Sequence, residues 1–292
     1  PGISINQFYG IEKSNYASET AKLSLWIVEH QMNLHFKEIF GRINPSLPLK
    51  ENENILNANS AEIQWESFCK KDRLTEHIYI ISNPPYKGFA RQNIHQKNDM
   101  SKVFKEIKDY KRLDYVTLWF FKASKFITFN KDSSCSLVST NSICQGEQIK
   151  LFWPHILNQV EINFAYKSFP WGNNAKNNAV VTCVIIGLSK SNSKIKLIYD
   201  GSAIEQCKYI NPYLSSNEIL EISKQDKPLN KDFPRMIGGN QPLDDGHLKL
   251  SQKEYDDFIR KYPQSKVFFR KLVGGSEFLN GLKRWVIWLN DK

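Results

Sequence analysis

The 292-residue chain contains no run of eighteen apolar residues and no visible signal peptide, so a soluble protein is expected rather than one with a membrane-spanning helix. Its five cysteines, Cys69, Cys135, Cys144, Cys183 and Cys207, are scattered, odd in number and never paired as CxxC. That pattern offers neither a disulfide framework nor a zinc site, and fits a reducing cytoplasm. His95, His155 and His247 stand apart from one another and from acids at ligand spacing, so no metal is expected. No Gly-x-Ser-x-Gly elbow occurs, which removes the serine-hydrolase reading. Repeats and low-complexity tracts are also missing.

What is present is charge. Lys and Arg outnumber Asp and Glu by 40 to 30, a formal +10, which favours a polyanionic partner such as nucleic acid while remaining compatible with simple solubility. The length allows one large domain and a smaller part. An opening Pro1 followed at once by a strand-like stretch at 3–11 reads as the start of a fragment of a longer protein.

Strand, acid and helix come first: a short strand at 5–11 ends at Gly10-Ile11-Glu12, and Ser14 or Asn15 caps a helix whose apolar face is Ala17, Ala21, Leu25, Val28 and Met32. This is half of a βαβ unit. Residues 40–57, with Pro45 and Pro48, read as a connection, and 78–82 as a buried strand. The polar, basic stretch 87–112 reads as a mobile surface loop or weak helix. Val116, Phe120, Ala123 and Ile127 mark a buried helix, followed by a strand at 135–140 and a helix from near Gln145 interrupted at Pro154. Strands at 161–166, 179–188 and 194–199 follow, the last two joined by a turn-like 189–193 and expected to form an antiparallel edge hairpin. A mixed α/β sheet results. After about residue 201 prolines and a Gly238-Gly239 pair signal a linker or new module, containing a helix at 251–262 opened by a Ser251-x-x-Glu254 capping box and an aromatic-rich strand at 284–289.

Asn83-Pro84-Pro85-Tyr86 closes the 78–82 strand. In open parallel sheets, ligands bind outside the carboxyl ends of strands. Proline there removes N–H donors and stiffens the turn. The Asn83 side-chain oxygen and the Pro84 carbonyl are then acceptors for an amino group, and the Tyr86 ring a stacking face for a planar substrate.

This tetrapeptide resembles the Asn-Pro-Pro-Tyr signature of S-adenosylmethionine-dependent methyltransferases acting on a planar-group nitrogen, chiefly the adenine-N6 DNA enzymes. With it, Phe8-Tyr9-Gly10-Ile11-Glu12, Leu113-Asp114-Tyr115-Val116, the run from Val138 through Ser139, Thr140, Asn141 and Ser142 to Gly146-Glu147-Gln148, and residues 179–187 resemble the large single-chain adenine-specific enzymes of bacterial restriction-modification or phage-defence systems. Phe233-Pro234-Arg235-Met236, Gly239-Asn240, Glu277-Phe278-Leu279-Asn280-Gly281 and Arg284-Trp285 are similar to the start of that group's target-recognition region. The resemblance implies a Rossmann-like methyltransferase core over 1–200, lacking the first strand and glycine-rich cofactor loop that the family places before its acidic strand end, and a linker with the beginning of target recognition over 201–292.

By this match Glu12 binds the cofactor ribose, Asn59 lies near the cofactor adenine, and Asn83, Pro84, Pro85 and Tyr86 form the catalytic loop. A single Glu is also a solvated acid before a helix, and Asn59 is also a plain turn residue. Flipping a base costs a few kcal/mol, and one stacked ring returns roughly 1–3 kcal/mol, so a second aromatic is expected beside Tyr86. Phe169, with Trp171, in a loop between strands, is the candidate, though either ring equally suits the core edge. Lys87, Arg91, Lys97 and Lys102 are candidates for phosphates of double-stranded DNA. The alternatives are an inert DNA-binding fragment of such an enzyme, or the same chemistry on RNA or a protein glutamine.

Overall fold

The computed structural model describes residues 3–41, 54–69, 77–130, 132–172, 181–190, 195–218, 232 and 246–289. Two compact units are present, Pro1–Lys224 and Gln225–Lys292.

In the first unit β1 (Gly10–Glu12) pairs in parallel with β2 (Ile55–Asn57), a strand inside what reads as a connection. The expected strand at 5–11 is shorter than its pattern, since Ile5–Gln7 is a 3-10 turn. Between β1 and β2 runs α1 (Asn15–Phe40), capped by the Ser14 hydroxyl, which accepts from the Ala17 amide. Its inner stripe departs from the expected one: Ala17, Ala21 and Leu25 are half-buried, but Val28 and Met32 are exposed, and the contact side continues through Trp26, Asn33 and Phe36. Among the described residues it packs on β1, β2 and the 3-10 turn before them.

A six-stranded mixed sheet forms the body. In spatial order it runs β3 (Tyr79–Ser82), β4 (Ser134–Thr140), β6 (Val181–Ser189), β5 (Glu161–Trp171), β7 (Lys196–Asp200) and β8 (Ala203–Cys207). β3 and β4 are parallel; β4 with β6 and β6 with β5 are antiparallel. The hairpin expected between 179–188 and 194–199 does not form. β6 is buried on both faces and takes β4 and β5 as neighbours, so β7 lies outside β5, parallel to it, and makes the edge hairpin with β8 through Gly201. The turn-like 191–193 and the first residues of the expected strand, 179 and 180, lie outside the described residues.

β3 is an edge strand rather than a buried one. Ile80 packs on the core, but Tyr79 and Ile81 are 72% and 81% exposed, and no described strand pairs with the outer edge. Beneath the sheet, α4 (Thr117–Phe129) buries Phe120, Ala123 and Ile127 completely, as their spacing predicts, against Phe152 and Trp153 from α5 (Gly146–Phe152) and the start of α6 (Pro154–Leu157). The polar stretch after the proline loop is anchored, not mobile. α3 (Ile94–Phe104) has a reciprocal Asn93–Gln96 capping box, and Met100 and Phe104 are buried. A short α2 (Trp65–Phe68) follows β2.

The described part of the second unit is a three-stranded antiparallel sheet, β10 (Phe269–Leu272), β11 (Arg284–Ile287) and β9 (Lys249–Ser251) in spatial order. α7 (Gln252–Lys261) starts at the expected Ser251–Glu254 box, and its Tyr255 stacks on Trp285 at 3.9 Å. Glu277, buried in α8 (Gly275–Asn280), pairs with Arg284, which holds its carboxyl below the usual range. Residues 233–236, 239 and 240, and the Gly238-Gly239 pair, lie outside the described residues, as do Pro45 and Pro48.

Candidate active site

β3 delivers Asn83 exposed at its carboxyl end, Pro84 buried, Pro85 exposed and Tyr86 half-buried against the core. The Tyr86 hydroxyl donates to Asn83 Oδ1, and Cys183 of β6 lies beside it. Burial, then the neighbouring Cys183 thiol, pushes the Tyr86 phenol up to about 12, so it remains a donor. No described group donates to the Pro84 carbonyl. Two oxygen acceptors and a ring thus sit together at the open end of the sheet, with Tyr86 donating to one acceptor itself.

Phe169 lies in β5, not in a loop, directly across from Cys183. Opposed residues of an antiparallel pair share a face, so Phe169 and Tyr86 flank the same thiol. Trp171 packs obliquely on Phe169 at 6.1 Å and is more exposed. Of the four cations, Lys87 and Arg91 are exposed on the segment leading directly from Tyr86, and Lys97 is exposed on α3. Lys102 is tied to Glu62 at 2.7 Å, and each holds the other in its charged form.

The segment that follows the Asn83–Tyr86 loop is held by a residue that the sequence quotes in a motif without assigning it a role. Asp114, buried ahead of α4, accepts from the Phe89 amide at 3.0 Å and from the Ser142 hydroxyl at 2.8 Å. The Tyr115 amide donates to the Lys87 carbonyl, and Gln92 Nε2 to the Leu113 carbonyl. Residues 87–92 are therefore fastened to the end of β4 through one carboxylate. A buried acid between Leu113 and Tyr115-Val116 is the signal that finds it.

Glu12 is exposed at the carboxyl end of β1, and no described residue donates to its carboxylate. That is the donor-seeking group a ribose diol needs, so the residues present fit the ribose end of a nucleoside cofactor. Asn59, just beyond β2, uses both polar side-chain atoms internally: Oδ1 accepts from the Ala61 amide and Nδ2 donates to buried Asp99, which also accepts from the Tyr115 hydroxyl at 2.6 Å. Asn59 therefore shapes the loop 59–63. Lys122 straps the same loop from α4, donating to the Ala61 and Ile63 carbonyls, and burial pushes its amine down to about 8.

Comparison with known proteins follows this geometry. A family model described as MmeI, DNA-methyltransferase domain, matches residues 1–200, and one described as MmeI, target recognition domain, matches residues 203–292. The chain is 40% identical over 294 residues to a protein of Bacillus subtilis (strain 168) named DNA methyltransferase A, covering 100% of this chain and 33% of that one. It is similar, with a TM-score of 0.90 and 38% identity over 99% of its length, to a solved structure of the Type IIL restriction-modification enzyme MmeI in complex with DNA, of which it covers 39%. The chain thus spans between a third and two fifths of the length of these relatives.

Proposed function

Since the chain belongs to the MmeI DNA-methyltransferase family, we propose that it is the catalytic and early target-recognition part of an enzyme that methylates the N6 amine of an adenine flipped out of double-stranded DNA. The observation that carries this reading is the Asn83–Tyr86 loop at the carboxyl end of β3, with Asn83 exposed, the Pro84 carbonyl unbonded by any described group and two rings beside Cys183.

S-adenosylmethionine supplies, when bound, a methyl group made electrophilic by its sulfonium. Glu12 accepts hydrogen bonds from the ribose hydroxyls. Asn83 Oδ1 and the Pro84 carbonyl accept the two N–H groups of the target amine. This favours a tetrahedral nitrogen whose lone pair, otherwise delocalised into the ring, points at the methyl group. The methyl group would pass to the amine nitrogen as its bond to sulfur breaks, leaving a neutral thioether, and the surplus proton would leave from the nitrogen to solvent. The Tyr86 hydroxyl occupies one lone pair of Asn83 Oδ1 and leaves the other for the amine, and the Tyr86 ring holds the base with Phe169 opposite. Lys87, Arg91 and Lys97 contact phosphates; Lys102 serves Glu62 instead. The boundary we retain is a core over 1–200 followed by recognition, although β8, at 203–207, hydrogen-bonds into the core sheet.

Tritium transfer from labelled cofactor by the parent enzyme tests the reading, with duplex DNA, RNA and protein offered separately. Label in DNA adenine is expected, and label in protein or RNA alone overturns the choice of substrate.

A further inference from the structure

A cavity opens at the same end of the sheet. Its volume is about 290 Å³, and Val184 of β6 and Leu214 floor it, while Asn141, Gln145, Ser168 and Tyr213 bring polar groups to it. Val184 follows Cys183 in a strand, so its side chain points to the face opposite Tyr86 and Phe169. The cavity is thus separate from the ring-lined target site.

The cavity is built rather than incidental. A register irregularity between Tyr166 and Phe169 frees Lys167 and Ser168 from the β5–β6 ladder at its rim. Leu214, buried, adopts a left-handed φ of 57°, unfavourable for a branched side chain, and is held there by Asn211, whose Oδ1 accepts from the Tyr213 and Ser215 amides. That turn sets Leu214 in the floor and leaves Tyr213 half-exposed above it.

Its chemistry selects the occupant. The Asn141 and Gln145 carboxamides are bonded by no described residue, and each offers one donor group and one acceptor, the complement of a nucleobase edge. Asp200 lines the cavity and pairs with Lys167 at 3.3 Å, cancelling the one cation and repelling a phosphate. The size is at the small end of ligand cavities, which run roughly 300–1,000 Å³, and suits a single base. Neighbouring strands lie about 4.8 Å apart. Its lining runs from Asn141 at the end of β4, one strand from β3, through β6 and β5 to Asp200 of β7, four strands away, so it lies about 5 to 19 Å across the sheet from the Asn83–Tyr86 loop, or about two to six base-pair rises of about 3.4 Å.

We propose that this cavity binds a second nucleobase of the substrate duplex, lying within about six base pairs of the flipped adenine, through the side chains of Asn141 and Gln145. The proposal rests on the DNA-methyltransferase reading. The base comes either from the target strand beside the adenine or from the opposite strand, where flipping leaves a partner unpaired.

The experiment is steady-state methylation by the parent enzyme on a cognate duplex, with abasic sites placed one at a time on either strand around the target. Asn141→Ala with Gln145→Ala is expected to raise KM for DNA about tenfold, equivalent to about 1.4 kcal/mol, with kcat unchanged. One abasic position is expected to raise the KM of the unaltered enzyme equally and add nothing in the variant, and its strand identifies the source. Gln145→Glu, at an exposed position, keeps the test informative if the double variant folds poorly, and is expected to raise KM likewise. A variant KM within twofold of the unaltered enzyme, or abasic effects that multiply with the variant's at every position, overturns the cavity assignment alone. An unaltered enzyme that methylates no duplex overturns the underlying reading with it.

Discussion

Asn83 and Tyr86 share one hydrogen bond and, in the proposed chemistry, separate roles, so different substitutions pull those roles apart. Asn83→Ala removes the acceptor and is expected to lower single-turnover transfer about 100- to 1,000-fold, the scale of losing one preorganised polar contact to a transition state. DNA affinity should stay nearly intact in a binding titration; an unchanged rate would remove Asn83 from catalysis. Tyr86→Phe keeps the ring and frees Asn83 Oδ1, so it is expected to retain activity, whereas Tyr86→Ala loses stacking of roughly 1–3 kcal/mol and should show as weaker base flipping in 2-aminopurine fluorescence. Asp114→Ala strands the Phe89 amide and the Ser142 hydroxyl, a loss of about 1–3 kcal/mol for an unsatisfied buried group. Its effect is expected in kcat more than in cofactor affinity, because the loop it fastens begins at Tyr86. Asp114→Asn retains an acceptor for Phe89 and a donor to Ser142 Oγ, and is expected to recover much of the rate. Equal losses in the two variants would reduce Asp114 to a purely structural carboxylate.

Elements were readable where local pattern and tertiary demand agree, as in α4, whose apolar side at three- and four-residue spacing is buried as expected, in α7, opened by Ser251-x-x-Glu254, and in the helix from near Gln145, interrupted at Pro154 between α5 and α6. They were misread where strand order decides. A Ser/Asn-rich turn signals that the chain reverses, not which neighbour the next strand takes, and only the two-sided burial of β6 explains why β5 separates it from β7. The stretch read as a mobile loop or weak helix contains the helix α3, whose apolar residues are few, although Met100, Val103 and Phe104 keep helical spacing behind the Asn93 cap. Of the candidate site, the Asn83–Tyr86 loop and Glu12 stand out in the sequence as motifs, and Asn83 and Glu12 are exposed at strand ends; Asp114, Asp99 and Lys122 do not stand out, because their contacts depend on loops distant in sequence. Lys122 gives the strap on loop 59–63 a pH signature. Burial depresses its folded-state pKa from 10.5 to about 8, with Lys125 acting in the same direction and Glu66 and Asp99 opposing. Below about 8 the folded state bears the cost of a charged buried amine; between about 8 and 10.5 it sheds a proton that the unfolded chain still binds, so stability from this group rises with pH. The melting-temperature difference between the unaltered chain and Lys122→Met should therefore shift in favour of the former from pH 8 to pH 10. A difference independent of pH would show that Lys122 is not desolvated.

On the scale of the whole molecule, the formal +10 matters through where its cations stand and which of them are already neutralised. No described helix is long and apolar enough to cross a membrane. Lys102–Glu62, Arg112–Glu147 and Lys196–Glu161 are cations committed to acids within the first unit, whereas Lys87 and Arg91 extend, exposed, from the segment that follows Tyr86. A phosphate contact releases counterions and steepens the fall of log K with log salt by about 0.9 per contact. Binding of a cognate duplex by the parent enzyme, followed by anisotropy across a salt series, should therefore sort these residues. Lys87→Gln and Arg91→Gln are each expected to flatten the slope by about 1 and to weaken cognate and non-cognate duplexes alike, since backbone contacts position the protein without reading sequence. Lys102→Gln is expected to leave the slope unchanged, because its charge already faces Glu62. A slope that responds to Lys102 and ignores Arg91 would move the DNA path away from the loop after Tyr86 and toward the outer side of α3, and the catalytic loop would then no longer lie beneath the duplex.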